Sequence, residues 1–222
     1  MKLALFDLDG TLIPGDSDHA FGEHVIALGW ADAAEHKARN DAFYADYVAG
    51  TLDVVAYTEF ATSAWRGRSA AEVDSALRSF VHERVRPTLG EAAVELVERH
   101  RRDGDDLALV TATNDAVTRP IAALLGIPAL IATELERDES GRPTGRVHGT
   151  PSFREGKVVR VRQWLAGRGA TLEGAASSHF YSDSANDIPL LEAVSHPVAT
   201  NPSAGLERHA RERGWPVLKL YP

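Results

Sequence analysis

The stretch Lys2-Leu3-Ala4-Leu5-Phe6-Asp7-Leu8-Asp9-Gly10-Thr11 decides the fold. Its first half is an unbroken apolar run of strand length, the pattern of a strand covered on both faces in a parallel sheet. The run then breaks into a polar, Gly-containing segment reaching Gly15, so the strand empties into a loop. Asp7 and Asp9 leave the strand two residues apart, and in extended chain such side chains share a face. One acid of such a pair can attack while the other handles protons. A plain Asp-Gly turn accounts for the same residues equally well, and the rest of the chain has to choose between them.

Downstream, the pattern changes. From Ser17 to about Val85 the apolar spacing is helical, with Ala-rich stretches and no strand signal. At Thr88-Leu89-Gly90-Glu91 a capping box is expected to open a helix over 89–102, ended by Gly104. A buried strand at Leu107 to Val110 follows, then a helix near 115–125, a strand near Ala129 to Ala132 and a helix near 155–167. Further strands are expected at His179 to Tyr181 and near Val194 to Ala199. Glu134 to Glu136 and Gly145 to His148 read as the arms of a hairpin flap. Strands alternating with helices predict an α/β fold, a Rossmann-like parallel sheet with helices on both faces. The domain organisation expected is a core of residues 1–13 and 86–222, with residues 14–85 inserted after the first strand as a helical cap.

Composition narrows the function. The 222 residues are 44% apolar and 25% charged, ordinary for a globular protein. The formal charge of -8, from 24 Lys and Arg against 32 Asp and Glu, opposes binding to a phosphate backbone, so nucleic acid is not expected as a partner. No apolar stretch is long enough to span a membrane, and a carboxylate at Asp7 leaves no room for a signal peptide. A cytoplasmic protein, monomer or homodimer, without membrane contact is the expectation. With no cysteine there is no thiolate nucleophile or thiolate metal site. The scattered Trp30, Trp65, Trp164 and Trp215 suggest packing, and His148, His179 and His196 read as ordinary surface or core residues.

Ligands in open α/β sheets bind where the strands end. The polar residues following the predicted strands are Asp7 and Asp9, then Thr111, then Ser182, Asp183 and Asp187. Carboxylates brought together repel and resist desolvation, so such a set calls for a cation, and oxygen donors handling phosphate favour Mg²⁺. Asp187 also precedes Pro189 at a helix start, which would suit an N-cap.

Four segments in order, Asp7-Leu8-Asp9-Gly10-Thr11, Thr111 at a strand end, Gly156-Lys157 opening a helix, and Ser182-Asp183-Ser184-Ala185-Asn186-Asp187-Ile188-Pro189, together resemble the haloacid dehalogenase superfamily. The inserted helices and the flap resemble the branch containing phosphoserine phosphatase and some histidinol-phosphate phosphatases. The resemblance implies a Mg²⁺-dependent phosphatase acting on a small phosphorylated metabolite through an aspartyl phosphate. Asp7 would be the nucleophile, Asp9 the general acid and base, Thr111 a donor to the phosphoryl oxygens and Lys157 its neutralising cation. Asp7, Asp183 and the Asp9 carbonyl would hold the metal, with Asp187 a further ligand or second-sphere group and Asn186 acting through water or in substrate binding. The second acid at Asp9 argues against carbon–halogen chemistry, in which the leaving halide needs no proton. A phosphotransferase could use the same residues.

Substrate choice falls to the loop after the nucleophile and to the cap. Asp16 stands where phosphoserine phosphatases carry Glu, the helix from Asp53 to Trp65 lacks their Arg, and Ala112-Thr113 replaces their Gly pair. Arg66 and Arg68 follow that helix. Asp16 and Asp18 suit a cationic substrate such as an amino alcohol phosphate, with histidinol phosphate the alternative to phosphoserine, or they simply cap the first inserted helix.

Overall fold

A computed structural model describes residues 1–221. The chain runs β1 (Lys2–Phe6), α1 (Ser17–Ala27), α2 (Ala33–Ala49), α3 (Val54–Ser63), α4 (Ala70–Phe80), α5 (Glu91–Arg102), β2 (Asp106–Asn114) and α6 (Asp115–Leu124). It continues β3 (Ala129–Thr133), β4 (Leu135–Arg137), β5 (Pro143–Val147), α7 (Glu155–Ala166), β6 (Ser177–Ser182), α8 (Ile188–Ala193), β7 (His196–Thr200), α9 (Ala204–Arg213) and β8 (Val217–Leu218). Six strands form one sheet in the order β3-β2-β1-β6-β7-β8, with every neighbouring pair parallel. β4 and β5 form the separate antiparallel hairpin.

The unbroken apolar run of β1 has the expected cause: Leu3, Ala4, Leu5 and Phe6 are all fully buried, on alternating faces. Ala4 and Phe6 join Val97 of α5, Ile121 of α6 and Phe21 of α1 in one core. Leu3 and Leu5 join Val161 and Leu165 of α7, Leu190 of α8 and Leu206 of α9 in the other. Truncating any of these Leu or Phe side chains to Ala costs about 2–5 kcal/mol. β1 thus lies between β2 and β6 at the point where the strand order reverses, and its carboxyl end opens on the crevice characteristic of such sheets.

The four inserted helices start on Asp16, Asp32, Asp53 and Ser69, each accepting backbone N–H bonds from the first turn. The Thr88–Glu91 capping box does not form. The Thr88 hydroxyl donates to the Val85 carbonyl at 2.8 Å, closing a 3₁₀ turn over Arg86–Thr88, and α5 starts from Gly90 without a side-chain cap. β2 runs past the apolar stretch to Asn114, because its polar end residues face the crevice instead of water. α9 and β8 have no counterpart in the sequence reading; α9 buries only Leu206 and Ala210, too few to give a clear helical stripe.

Candidate active site

Three strand ends and one helix start meet at a buried ion cluster. The Lys157 ammonium, in the first turn of α7, donates to Asp7 Oδ1 at 2.9 Å and to Asp187 Oδ2 at 2.7 Å. The Ser182 hydroxyl donates to the same Asp187 oxygen at 2.7 Å. Asp187 is the N-terminal boundary residue of α8 yet makes no capping bond; its carboxylate is turned inward to hold Lys157. Beside them, Asp183 Oδ1 accepts from the Thr11 hydroxyl at 3.2 Å, which itself accepts from the Asp183 N–H at 3.0 Å. Gly10 allows this approach: its φ is +71°, and a Cβ there would stand 2.4 Å from Asp183 Oδ2.

Asp9 occupies the outer side of the cluster. Its Oδ1 accepts from the Ser17 N–H at 2.7 Å and its Oδ2 from the Thr113 hydroxyl at 2.9 Å. Thr111 is buried, and its hydroxyl accepts from the Thr113 N–H at 3.2 Å. Asp7, Asp9, Thr111, Ala112 and Thr113 form the floor of a partly open cavity. A groove of about 620 Å³ between α4, α6 and the hairpin contains none of these residues, so size alone does not locate the site.

Electrostatics follow from burial. Burial raises Asp7 to about 7, with the Lys157 charge opposing the rise and Asp187 adding to it. Burial and then the Asp16 charge raise Asp9 to about 7 against the hydrogen bonds from Ser17 and Thr113. Burial raises Asp183 to about 8, reinforced by the Asp7 and Asp187 charges. Burial alone would depress Lys157, but the Asp187 and Asp7 charges outweigh it and hold the ammonium above its ordinary range. Four converging carboxylates, Asp7, Asp9, Asp183 and Asp187, face one ammonium. This imbalance, in a set of oxygen donors with no thiolate, fits a hard divalent cation between Asp7 and Asp183.

The inserted helices roof the cavity with Phe43, Tyr44 and Tyr47 of α2 and Tyr57 of α3, alongside Asp16 and His19. The sequence pattern assigns these aromatic residues no role; Phe43, Tyr44 and Tyr47 lie within the Ala-rich helical block. Of the two roles open to Asp16, the capping one is seen directly, and the residue also reaches the cavity. Its carboxylate caps α1 by accepting from the Asp18 and His19 N–H groups at 2.9 and 2.8 Å, and it also lines the cavity. Asp18 does not line it: its buried carboxylate accepts from Asn114 Nδ2 at 3.2 Å and faces the Tyr57 hydroxyl. Arg66 and Arg68 are also away from it, Arg66 on the Thr144 carbonyl and Arg68 over Trp30.

Asn186, expected near substrate, instead joins the sheet to the roof. Its Oδ1 accepts from Arg154 Nε at 3.2 Å and its Nδ2 donates to the Tyr47 carbonyl at 3.4 Å. Arg154 also donates to the Gly50 carbonyl at the end of α2. It does so from a backbone φ of 52°, a strained region for a non-glycine residue. Nothing in the local sequence signals this residue, since its partner is a carbonyl about a hundred residues away.

The model of the haloacid dehalogenase-like hydrolases matches residues 4–192, which include every strand-end residue described above. The chain belongs to this family. It is 46% identical over 219 residues, 99% of each chain, to a histidinol-phosphatase of Neisseria meningitidis. A crystal structure of a Bordetella pertussis protein of unknown function shares 49% identity, with a TM-score of 0.93 and 99% of each chain covered. A substrate-bound phosphoserine phosphatase shares the fold at a TM-score of 0.69 and 19% identity, covering 98% of this chain and 92% of that one. The chain is accordingly an enzyme, a phosphomonoesterase-type hydrolase of this family.

Proposed function

We propose that the protein is a Mg²⁺-dependent phosphatase that hydrolyses a small phosphomonoester bearing a protonated amine, with histidinol phosphate the first substrate to test. The observation carrying the chemistry is that Asp7 and Asp9 line one cavity, Asp7 tied to Lys157 and Asp9 tied to Ser17 and Thr113. The relative named histidinol-phosphatase supports the substrate. So does the roof, where the Asp16 carboxylate and the tyrosine faces are groups that bind a cationic nitrogen.

In this mechanism Lys157 fixes one oxygen of Asp7 and leaves the other to attack phosphorus. The Asp7 oxygen–phosphorus bond forms as the ester oxygen–phosphorus bond breaks, and Asp9 gives its proton to the leaving alkoxide. Asp9, now ionised, takes a proton from the water that attacks the aspartyl phosphate, releasing inorganic phosphate and restoring Asp7. A group raised to about 7 is suited to both transfers near neutral pH. Thr111 and Lys157 steady the phosphoryl oxygens, countering the repulsion between a carboxylate and a phosphate dianion. Mg²⁺ held by Asp7, Asp183 and the Asp9 carbonyl would supply the remaining positive charge. Asp187 acts by holding Lys157. Residues 14–85 serve as the cap that excludes water, and the enzyme works in the cytoplasm.

The test is phosphate release from histidinol phosphate, phosphoserine, sugar phosphates and nucleotides, with and without Mg²⁺ and with Asp7→Asn as control. The expected result is metal-dependent release, highest for histidinol phosphate and absent in the variant. Equal rates with neutral sugar phosphates would remove the amine argument. Phosphate appearing only on added alcohols would make the enzyme a phosphotransferase.

A further inference from the structure

The opposite end of the same sheet holds a second cluster of ionisable side chains that the chemistry above does not use. His100, near the end of α5, bonds through Nδ1 to Asp105 Oδ2 at 2.6 Å and through Nε2 to the Tyr181 hydroxyl at 2.7 Å. His179 of β6 packs its ring 5.0 Å from that of His100. One donor atom from each of His100, Asp105 and His179 lies within 4.8 Å of the others. The His100 and Asp105 side chains are only 6% and 5% exposed.

Two atoms of this cluster are shielded from solvent without a hydrogen-bond partner among the described residues: Asp105 Oδ1 and His179 Nδ1. Buried polar atoms are almost always paired, and an orphaned acceptor commonly marks a missing water or ion. A carboxylate oxygen and an imidazole nitrogen, orphaned within one cluster, are donors of the kind that a divalent transition metal takes. We propose that His100, Asp105 and His179 form a second metal site, separate from the catalytic crevice, that binds Zn²⁺ as a structural ion.

The chemistry of the donors selects the metal. Two imidazoles and one carboxylate suit Zn²⁺ better than Mg²⁺, which prefers oxygen and keeps much of its water. Zn²⁺ would bind His100 Nδ1 in the tautomer that carries the ring proton on Nε2, so that the neutral imidazole shifts its proton between its two nitrogens and loses none. The Nε2–H would then donate to the Tyr181 hydroxyl, the outer bond that fixes a ligating imidazole. Asp105 and His179 Nδ1 supply the other two bonds, and water the fourth. Donors on tetrahedral zinc stand roughly 3.3 Å apart, given bonds of about 2.0–2.1 Å, so the three side chains draw inward on binding. The ion would tie the α5–β2 junction to β6, the strand that carries Ser182 and Asp183 at its far end.

The experiment uses the full chain stripped of metal by chelation and then kept in excess Mg²⁺, with Asp183→Asn as background to suppress zinc binding in the crevice. Zn²⁺ is titrated by calorimetry and Co²⁺ by visible absorption. The account expects one equivalent bound, a tetrahedral Co²⁺ spectrum, and a melting midpoint raised by roughly 5–10 °C when zinc is a hundredfold above its Kd. His179→Gln and Asp105→Asn should each weaken binding more than about tenfold. His196→Gln, at a neighbouring ring outside the donor set, should leave it intact. Circular dichroism checks that each variant is folded. No zinc bound in the Asp183→Asn background, or equal binding in all three further variants, would overturn the site and leave water as the partner of the orphaned atoms. This result is independent of the phosphatase assay.

Discussion

The floor of the catalytic crevice and its roof are built differently. On the floor, Asp7, Lys157 and Asp187 come from two strand ends and a helix, and each is held by charged hydrogen bonds shorter than 3 Å with almost no exposure. In the roof, α2 buries only His36 and Asn40, and its ties to the core include two carbonyl contacts, from Asn186 to Tyr47 and from Arg154 to Gly50, and the Tyr47 ring beside Phe153. In the proposed mechanism the floor positions the reacting atoms and tolerates no slack, since misplacement by an ångström costs rate. In the same proposal the roof meets whatever is attached to the phosphate and is free to vary. Changes to the floor should therefore be read in kcat and stability, and changes to the roof in selectivity.

Lys157→Met should show the largest effect. It leaves Asp7 and Asp187 buried without their cation, a loss of about 3–5 kcal/mol that denaturant titration measures, along with the loss of turnover. A variant as stable as the parent would mean that the two carboxylates find another partner. Asp9→Asn should lower kcat by about 10²- to 10⁴-fold with little change in KM, because the proton relay is removed while the phosphate contacts stay. If KM rose instead, Asp9 would belong with the roof.

An intermediate effect separates the two regions by pH. Asp9 and Asp183 are raised to about 7 and 8 from 3.8, so without metal the folded state binds more protons than the unfolded chain across this interval. This contribution to stability is complete below about pH 4 and is lost as pH rises through about 8. Mg²⁺ needs the ionised carboxylates, so the rise in melting midpoint that it produces should grow over the same range. A magnesium effect that is flat with pH would contradict the carboxylate cage. The smallest effect is expected in the roof: Asp16→Asn should raise KM for histidinol phosphate by about tenfold and leave KM for p-nitrophenyl phosphate unchanged, as the loss of one ion pair predicts. Equal effects on both substrates would place Asp16 in the floor.

The same division explains what the sequence revealed. The floor was legible because its residues sit at strand ends, where β1 and β2 switch abruptly from apolar to polar, and because the four segments recur as a family pattern. The inserted helices and the hairpin also appeared as elements. The roof was not legible. Tyr44 and Tyr57 face Asp16 across separate helices, and no local spacing distinguishes an aromatic side chain lining a cavity from one in a core. Asp18 and Asn186 have the right composition for substrate contact, yet their nearest unsatisfied groups, Asn114 on one side and Arg154 with Tyr47 on the other, engage them first. Thr88 behaves similarly: its hydroxyl bonds the Val85 carbonyl in place of the helix start that the pattern implied.

The most direct test of the account is to trap the covalent intermediate. Borohydride added during Mg²⁺-dependent turnover of histidinol phosphate reduces an acyl phosphate to an alcohol, so peptide mass mapping should find Asp7 converted to homoserine, with Asp9, Asp183 and Asp187 unchanged. Conversion at another carboxylate, or steady turnover with Asp7 unmodified, would contradict the assignment of Asp7 as the nucleophile.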